Sequence, residues 1–214
     1  MSAALELPPR CIVQAAIKNG NQIEDKDICI LQRPGRPKEV WRWYTGPDSG
    51  GSHTKLEQKR DVLEEHLRYL GRTGIYIPKR HGHYIEQGPN DDDGLVLYTC
   101  LEYIDGVTLP VLQETVPKLY LKHGDIAVRG LGQYRGWAQD GHLLYDIAQP
   151  QQFMVGHPEN DSYTNVPTLC MPDIDPRFTN FANTTTDFDD DLLGFKRSLD
   201  DTRKDLLNII NIHD

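Results

Sequence analysis

The sequence predicts an α+β fold in two lobes: a mainly antiparallel sheet with one packed helix up to residue 104, then a short helical lobe over 105–214. Three observations lead there. Strand-like runs rich in β-branched and aromatic residues crowd the first half. Two long stretches of helical periodicity stand at residues 54–71 and 198–212. The length of 214 residues is long for one compact unit and short for two full domains, which favours one domain built as two lobes.

In chain order, CIVQAAI, DICILQRP and EVWRWYTG read as a three-strand meander separated by the turn signals NGN and PGRP. Alternation along the third run puts Trp41 and Trp43 on one face and Arg42 on the other. GPDSGGSHT is a loop whose Ser52 or Thr54 can cap the helix TKLEQKRDVLEEHLRYLG, where Leu56, Leu63, Leu67 and Leu70 share a face and Gly71 marks the end. HYIEQ and GLVLYTCLEYI are two further strands around the acidic turn PNDDDG. A mixed stretch follows, with glycines at 124, 130, 132 and 136. After it come the apolar run WAQDGHLLYDIAQPQQFMV, a polar loop GHPENDSYTN, the strand VPTLCM leading into PDIDP, and a closing helix SLDDTRKDLLNIINI. That helix places Leu199, Leu206, Ile209 and Ile210 on one side, with Ser198 as N-cap. The acids of TTTDFDDD suit a helix N-terminus, where the macrodipole favours negative charge.

Composition removes several function classes. A net charge of −9 repels phosphate backbones, so nucleic acid is not the expected partner. No stretch approaches the ~20 apolar residues of a membrane span. The start MSAALELPPR has neither a basic nor an apolar leader region, which makes the cytoplasm the expected location. Cys11, Cys29, Cys100 and Cys170 lack any paired spacing and read as reduced core thiols. His81 and His83 in RHGHY alternate on one strand face without a third ligand at a telling distance, and read as exposed polar positions.

A carboxylate inside the apolar run, Asp146, and a second acidic spot in MPDID carry the functional signal. Gly141, the pair Leu143-Leu144 and Asp146-Ile147, followed by Pro150, Gln152 and Phe153-Met154-Val155, resemble the catalytic loop of the protein-kinase-like fold. The likeness is to the abbreviated form seen in small bacterial effector kinases and in aminoglycoside and lipopolysaccharide kinases. It implies an ATP- and magnesium-dependent phosphotransferase acting on a protein or small-molecule hydroxyl. Asp146 would orient that hydroxyl. Gln152, in the family's asparagine position, and Asp173 with Asp175, at the end of an apolar strand, would hold the metal. CLEYIDGVTL resembles the linker between lobes, with the backbone around Glu102 and Tyr103 meeting adenine. Asp189 to Gly194 resembles the start of the helix that supports the catalytic loop from below.

The sequence departs from the family in ways that matter. KNGNQIEDKD replaces a glycine-rich phosphate loop, and Arg42 stands where the family has its lysine, with Lys38 as the nearby substitute. Glu64, closer than Glu57 to the apolar stripe of its helix, is the candidate ion-pair partner. Leu144 takes the usual histidine position, and the segment between Asp175 and Asp189 is short. A second register, with Lys122-His123-Gly124-Asp125-Ile126 as the catalytic loop, matches the small-molecule kinases letter for letter but leaves only twenty-three residues after Glu102. These departures keep a second function class open: a catalytically inactive, pseudokinase-like binding or regulatory module.

Overall fold

The computed structural model describes residues 8–18, 23–25, 28–43, 53–88, 94–138, 143–144, 147–158, 166–172 and 185–212. The chain divides into two units, one of residues 1–61, 79–103 and 158–160, the other of 62–78, 104–157 and 161–214. The architecture is α+β, with a small antiparallel sheet followed by helices.

The first unit opens with a correction. CIVQAAI is helix α1 (Pro9–Lys18) and not a strand. Proline at the first helical position loses no hydrogen bond, and Val13 and Ala16, three apart, are the buried residues while Gln14 and Ala15 face out. The Arg10 amide at the helix start donates to the Glu86 carboxylate at 2.7 Å. The first strand comes from the polar stretch after it. β1 (Ile23–Asp25), β2 (Ile28–Leu31), β3 (Glu39–Trp43), β4 (Arg80–Gln87) and β5 (Leu95–Glu102) form an antiparallel sheet in the order β1-β2-β3-β5-β4. Cys29, Leu31, Trp41, Trp43, Val96, Tyr98 and Cys100 pack on one sheet face with Val13 and Ala16 of α1. Arg42 pairs in register with Ile28 and Thr99 on the opposite face, as the alternation predicted.

Helix α2 (His53–Gly71) falls where the leucine periodicity put it. Thr54 lies inside the helix, and Ser52 is outside the described residues. Leu56 packs with Leu97 in the first unit, whereas Leu63, Leu67 and Leu70 belong to the core of the second.

In the second unit, the predicted strand GLVLYTCLEYI has continued past β5 into β6 (Ile104–Thr108), which belongs to a separate three-stranded sheet. Helix α3 (Leu109–Thr115) follows, then α4 (Pro117–Ala138), a 3-10 turn at Pro150–Gln152, β7 (Met154–Pro158), β8 (Thr168–Cys170) and α5 (Thr185–Ile212). The sheet order is β6-β7-β8. Gly106 and Gly156 let β6 and β7 touch backbone to backbone: a Cβ on Gly156 would overlap the Asp105 carbonyl oxygen, and one on Gly106 would lie 2.8 Å from the Gly156 Cα.

The glycine-bearing stretch 124–136 is continuous helix. Two of its glycines serve packing: a Cβ on Gly124 would meet Leu199 of α5 at 2.5 Å, and one on Gly130 would meet Thr73 and Ile75 at 2.7 and 2.8 Å. The closing helix starts thirteen residues earlier than predicted, so Ser198 is mid-helix and is not a cap. Its hydroxyl sits instead in a polar seam between helices. Gln113 Nε2 donates to Ser198 Oγ and Thr202 Oγ1, both at 3.1 Å, and Tyr120 Oη lies 2.8 Å from Ser198 Oγ. Around the seam, one core joins α2, α4 and α5 with Leu143, Leu144, Ile147, Ala148 and Phe153.

Candidate functional site

Asp146, Asp173 and Asp175 lie outside the described residues, so the site is defined by what holds the chain on either side of them. Leu143, Leu144, Ile147 and Ala148 are all buried, which places Asp146 in sequence between two pairs of core residues. The Leu144 amide donates to the Tyr134 hydroxyl of α4 at 2.9 Å. On the other side, Gln149 Nε2 donates to the Asp191 carboxylate of α5 at 3.0 Å, and Gln151 Nε2 donates to Gln149 Oε1. The 3-10 turn then leaves Gln152 half-buried immediately before Phe153 and β7. The Phe153 carbonyl accepts the Leu109 amide at 3.0 Å, tying that point to the start of α3.

β7 and β8 form an antiparallel hairpin in which Met154 pairs with Cys170, Val155 with Leu169 and Gly156 with Thr168. The first residue of β7 is therefore beside the last of β8. Tyr76 clamps this end from its far side: its amide donates to Leu169 O at 2.8 Å, and its carbonyl accepts the Met171 amide at 3.0 Å. The exit from β8, two residues before Asp173, is thus held as firmly as the entrance to β7.

The candidates of the first unit occupy both faces of its sheet. Arg42 is buried, on the face that also carries Thr99, and His83 Nδ1 lies 3.0 Å from Thr99 Oγ1. Glu102 is 2% exposed; its Oε2 accepts the Lys79 amide at 3.2 Å, and its own amide donates to Lys79 O at 2.9 Å. Lys38 is half-buried, its Nζ 4.7 Å from the centre of the Tyr103 ring, a cation–π geometry. Glu39, beside Glu102 in register, receives both Arg33 bonds at 2.5 and 2.7 Å and the Trp41 indole N–H at 3.0 Å. Glu64 is half-buried on the part of α2 that belongs to the second unit, and Glu57 stands 3.5 Å from His53.

The second register does not survive. Asp125 is an exposed mid-helix residue of α4 ion-paired to Arg203 of α5, and the neighbouring His123 and Gly124 are buried helix-packing residues. A catalytic loop needs extended backbone that can aim a carboxylate at a substrate, and α4 offers none there. The Asp189–Gly194 segment does lie in the opening turns of α5. Asp189 pairs with Arg135 at 3.0 Å, while Asp191 is the residue that reaches the loop. Among the described residues no group of three or more His, Cys, Asp or Glu is gathered for a metal, and no helix is long and apolar enough to cross a membrane.

Sequence reasoning did not single out Tyr134 or His66, and it took Asp191 only as part of the Asp189–Gly194 helix start. A histidine standing three residues after Leu63 inside the leucine stripe of α2 was the available signal: His66 is buried, with Nδ1 2.6 Å from Tyr134 Oη.

No family model matches the sequence, and no curated protein sequence matches it. Among solved structures the chain is similar to WaaP in complex with acyl carrier protein, with a TM-score of 0.44 and 14% identity, covering 95% of this chain and 87% of that one.

Proposed function

We propose that this chain is an ATP- and magnesium-dependent phosphotransferase of minimal kinase-like fold, acting on a hydroxyl of a protein or small molecule. One observation carries the proposal: the pairing of Met154 with Cys170, which brings the run containing Asp146 and the segment leading to Asp173 to the same end of one hairpin. A chain advances at most ~3.6 Å per residue, so the three steps from Cys170 leave Asp173 within about 11 Å of that pair. Gln152 stands two residues before Met154 on the other strand.

Asp146, Gln152, Asp173 and Asp175 form an all-oxygen donor set, the chemistry a small hard cation selects. Gln152, Asp173 and Asp175 would hold magnesium, which when bound neutralises charge on the transferring phosphoryl group. Asp146 orients the attacking hydroxyl and accepts its proton. The described chain on either side of Asp146 in sequence is anchored by the buried pairs Leu143-Leu144 and Ile147-Ala148 and by the Asp191–Gln149 bond.

A second assignment, an inactive kinase-like module, has its own support. The Glu102 amide is already donated to Lys79 O, which takes that linker donor away from adenine. Thermal denaturation with ATP and magnesium separates the two. A nucleotide at a hundred times its Kd adds ~2.7 kcal/mol, which for a chain of this size raises Tm by about 5–11 °C. The phosphotransferase shows this shift with magnesium, loses it in Asp173→Ala, and retains it in Asp146→Asn without transferring phosphate. Absence of any shift in the unsubstituted protein favours the module.

A further inference from the structure

The end of β2, the start of β3, the end of β5 and the start of β4 meet at one end of the first unit's sheet. Leu31 pairs there with Glu39, Glu39 with Glu102 and Arg80 with Leu101, and the Glu102 amide donates to Lys79 O. Five of the chain's 23 Lys and Arg residues gather at this end: Arg33 and Arg36 in the turn between β2 and β3, Lys38 just before β3, and Lys79 and Arg80 at the start of β4. Its two acids are largely buried and engaged. Glu39 receives Arg33 and the Trp41 indole, and Glu102, 2% exposed, accepts the Lys79 amide. Five cations less two carboxylates leave +3, and still +2 with Asp105, the next acid in sequence and part of the second unit, in a protein of net charge −9.

The turn that carries two of these cations is stiff. Arg33-Pro34-Gly35-Arg36 closes with the Arg36 amide on Arg33 O at 3.1 Å, with proline second and Gly35 third at φ 69°, the arrangement of a type II turn. Gln32 Nε2 braces it by donating to Arg36 O at 2.9 Å, and Pro37 restricts the backbone that follows. A ligand that meets Arg36 finds its backbone ordered in advance, which lowers the cost of binding. Arg36 and Lys79 are exposed, and among the described residues neither side chain has a hydrogen-bond or ion-pair partner. Cations on other surfaces are answered by nearby acids, as Arg135 is by Asp189 and Arg203 by Asp125.

We propose that this end of the sheet is a docking surface for an extended acidic peptide of a partner protein, held directly by Arg36 and Lys79, with Arg33, Lys38 and Arg80 adding to the field. Strand spacing sets the fit. The β2–β3 turn and the start of β4 are two to three strand spacings apart, about 10–14 Å, which an extended chain crosses in about three to four residues. Carboxylates at that interval meet both cations at once. The charge of the whole chain selects a short segment over a long polyanion. A nucleic acid or an anionic membrane meets the −9 of the protein as well as the patch, whereas a short peptide meets the patch alone. The inference does not depend on phosphate transfer.

The test is fluorescence anisotropy on the full chain with a rhodamine-labelled peptide of glycine and serine that carries glutamate at every fourth position, beside a matched peptide with glutamine instead. The glutamate peptide is expected to bind at least about tenfold more tightly than the glutamine one, and to weaken as salt is raised. Arg36→Glu combined with Lys79→Glu lowers its affinity about tenfold. Lys204→Glu, which reverses an exposed charge on α5, leaves it unchanged. Equal binding of the two peptides, binding of neither, or full affinity in the double variant overturns the inference. So does an equal loss in Lys204→Glu, which marks a response to net charge alone. Inorganic phosphate that displaces the peptide at an ionic strength where chloride does not marks a site for a single anion and overturns it too. A single-stranded DNA oligonucleotide or phosphatidylglycerol vesicles that bind more tightly than the peptide, and lose that binding in the double variant, mark a polyanion surface and overturn the choice of a peptide. Far-UV circular dichroism checks that the double variant folds. If it does not, Arg36→Gln and Lys79→Gln take its place, each expected to cost about threefold, and undiminished binding by both overturns the inference.

Discussion

Four glycines along one helix should respond to alanine in two opposite ways. Within α4, a Cβ on Gly132 or Gly136 would meet nothing within 4 Å. Replacing either removes only the backbone-entropy cost of glycine in a helix, about 0.5–1 kcal/mol each. Gly132→Ala with Gly136→Ala is therefore expected to stabilise by about 1–2 kcal/mol and to raise Tm by about 2–8 °C. Gly130 is different. Its Cβ would lie 2.7 Å from Thr73 Oγ1, which is itself bonded to Leu70 O at 2.7 Å, and 2.8 Å from Cδ1 of Ile75, which is 1% exposed. Carbon contacts are comfortable near 3.5–4.0 Å, so both neighbours must move, and overpacking of this kind costs about 1–3 kcal/mol. After the helix gain is counted, Gly130→Ala is expected to destabilise by up to about 2.5 kcal/mol. Gly124→Ala meets the side chain of Leu199 alone, with Cδ2 at 2.5 Å and Cδ1 and Cγ at 3.4 Å, and should fall between the two cases. Urea denaturation followed by far-UV circular dichroism measures all four. A destabilised Gly132→Ala, or a stabilised Gly130→Ala, would refute the packing described for α4.

Three further outcomes follow from particular groups. Ellman's reagent should label one thiol quickly in the native protein and four after denaturation, because Cys11 is exposed while the other three are buried. Cys100 in addition has its thiol pushed up to about 12 by burial and by the charge of Glu39, against the opposing Arg33. His123 is held below its ordinary 6.5 by burial, with Lys122 adding to the effect, so the folded state prefers the neutral imidazole and the unfolded state binds the proton more readily. Stability is then fully present above pH 6.5 and lost as pH falls from there through the folded pKa. His123→Gln should flatten that acid limb in urea midpoints taken between pH 7.5 and 5.5. Asp125→Asn, which breaks an exposed pair with Arg203, should change stability by only about 0.2–1 kcal/mol and leave phosphate transfer unchanged.

The strands β2 to β5 were legible from β-branched and aromatic residues between turn signals, and helix α2 from its period. β3 alternates its tryptophans with Arg42, and α2 repeats leucine along one stripe. CIVQAAI misled because isoleucine and valine suggest a strand, while Pro9 and the spacing of Val13 and Ala16 carried the helical signal. In α4 the glycines looked like breakers, yet Gly124 and Gly130 are where neighbouring side chains come closest. Ser198 looked like a cap because local sequence cannot show that its hydroxyl bonds to Gln113 and Tyr120, some eighty residues away. The candidate loop around Asp146 was read from its pattern, and Asp189–Gly194 as the helix start beneath it. The bonds of Tyr134 on α4 to Leu144 and His66 were not, since a tyrosine or histidine on a helix declares its partner only once the helices have met.

The polar seam of Gln113, Tyr120, Ser198 and Thr202 acts as a vernier for α5. Apolar faces tolerate a helix sliding or rotating slightly, since leucine contacts are replaced by other leucine contacts. Three directional bonds do not: a one-residue slip turns α5 by about 100° and carries both hydroxyls away from Gln113. Asp191 and Ser198 are seven residues apart, two turns on nearly the same face. The setting fixed at the seam therefore also fixes where Asp191 meets Gln149, so that the entry to the 3-10 turn at Pro150–Gln152 is adjusted from a point two helical turns away.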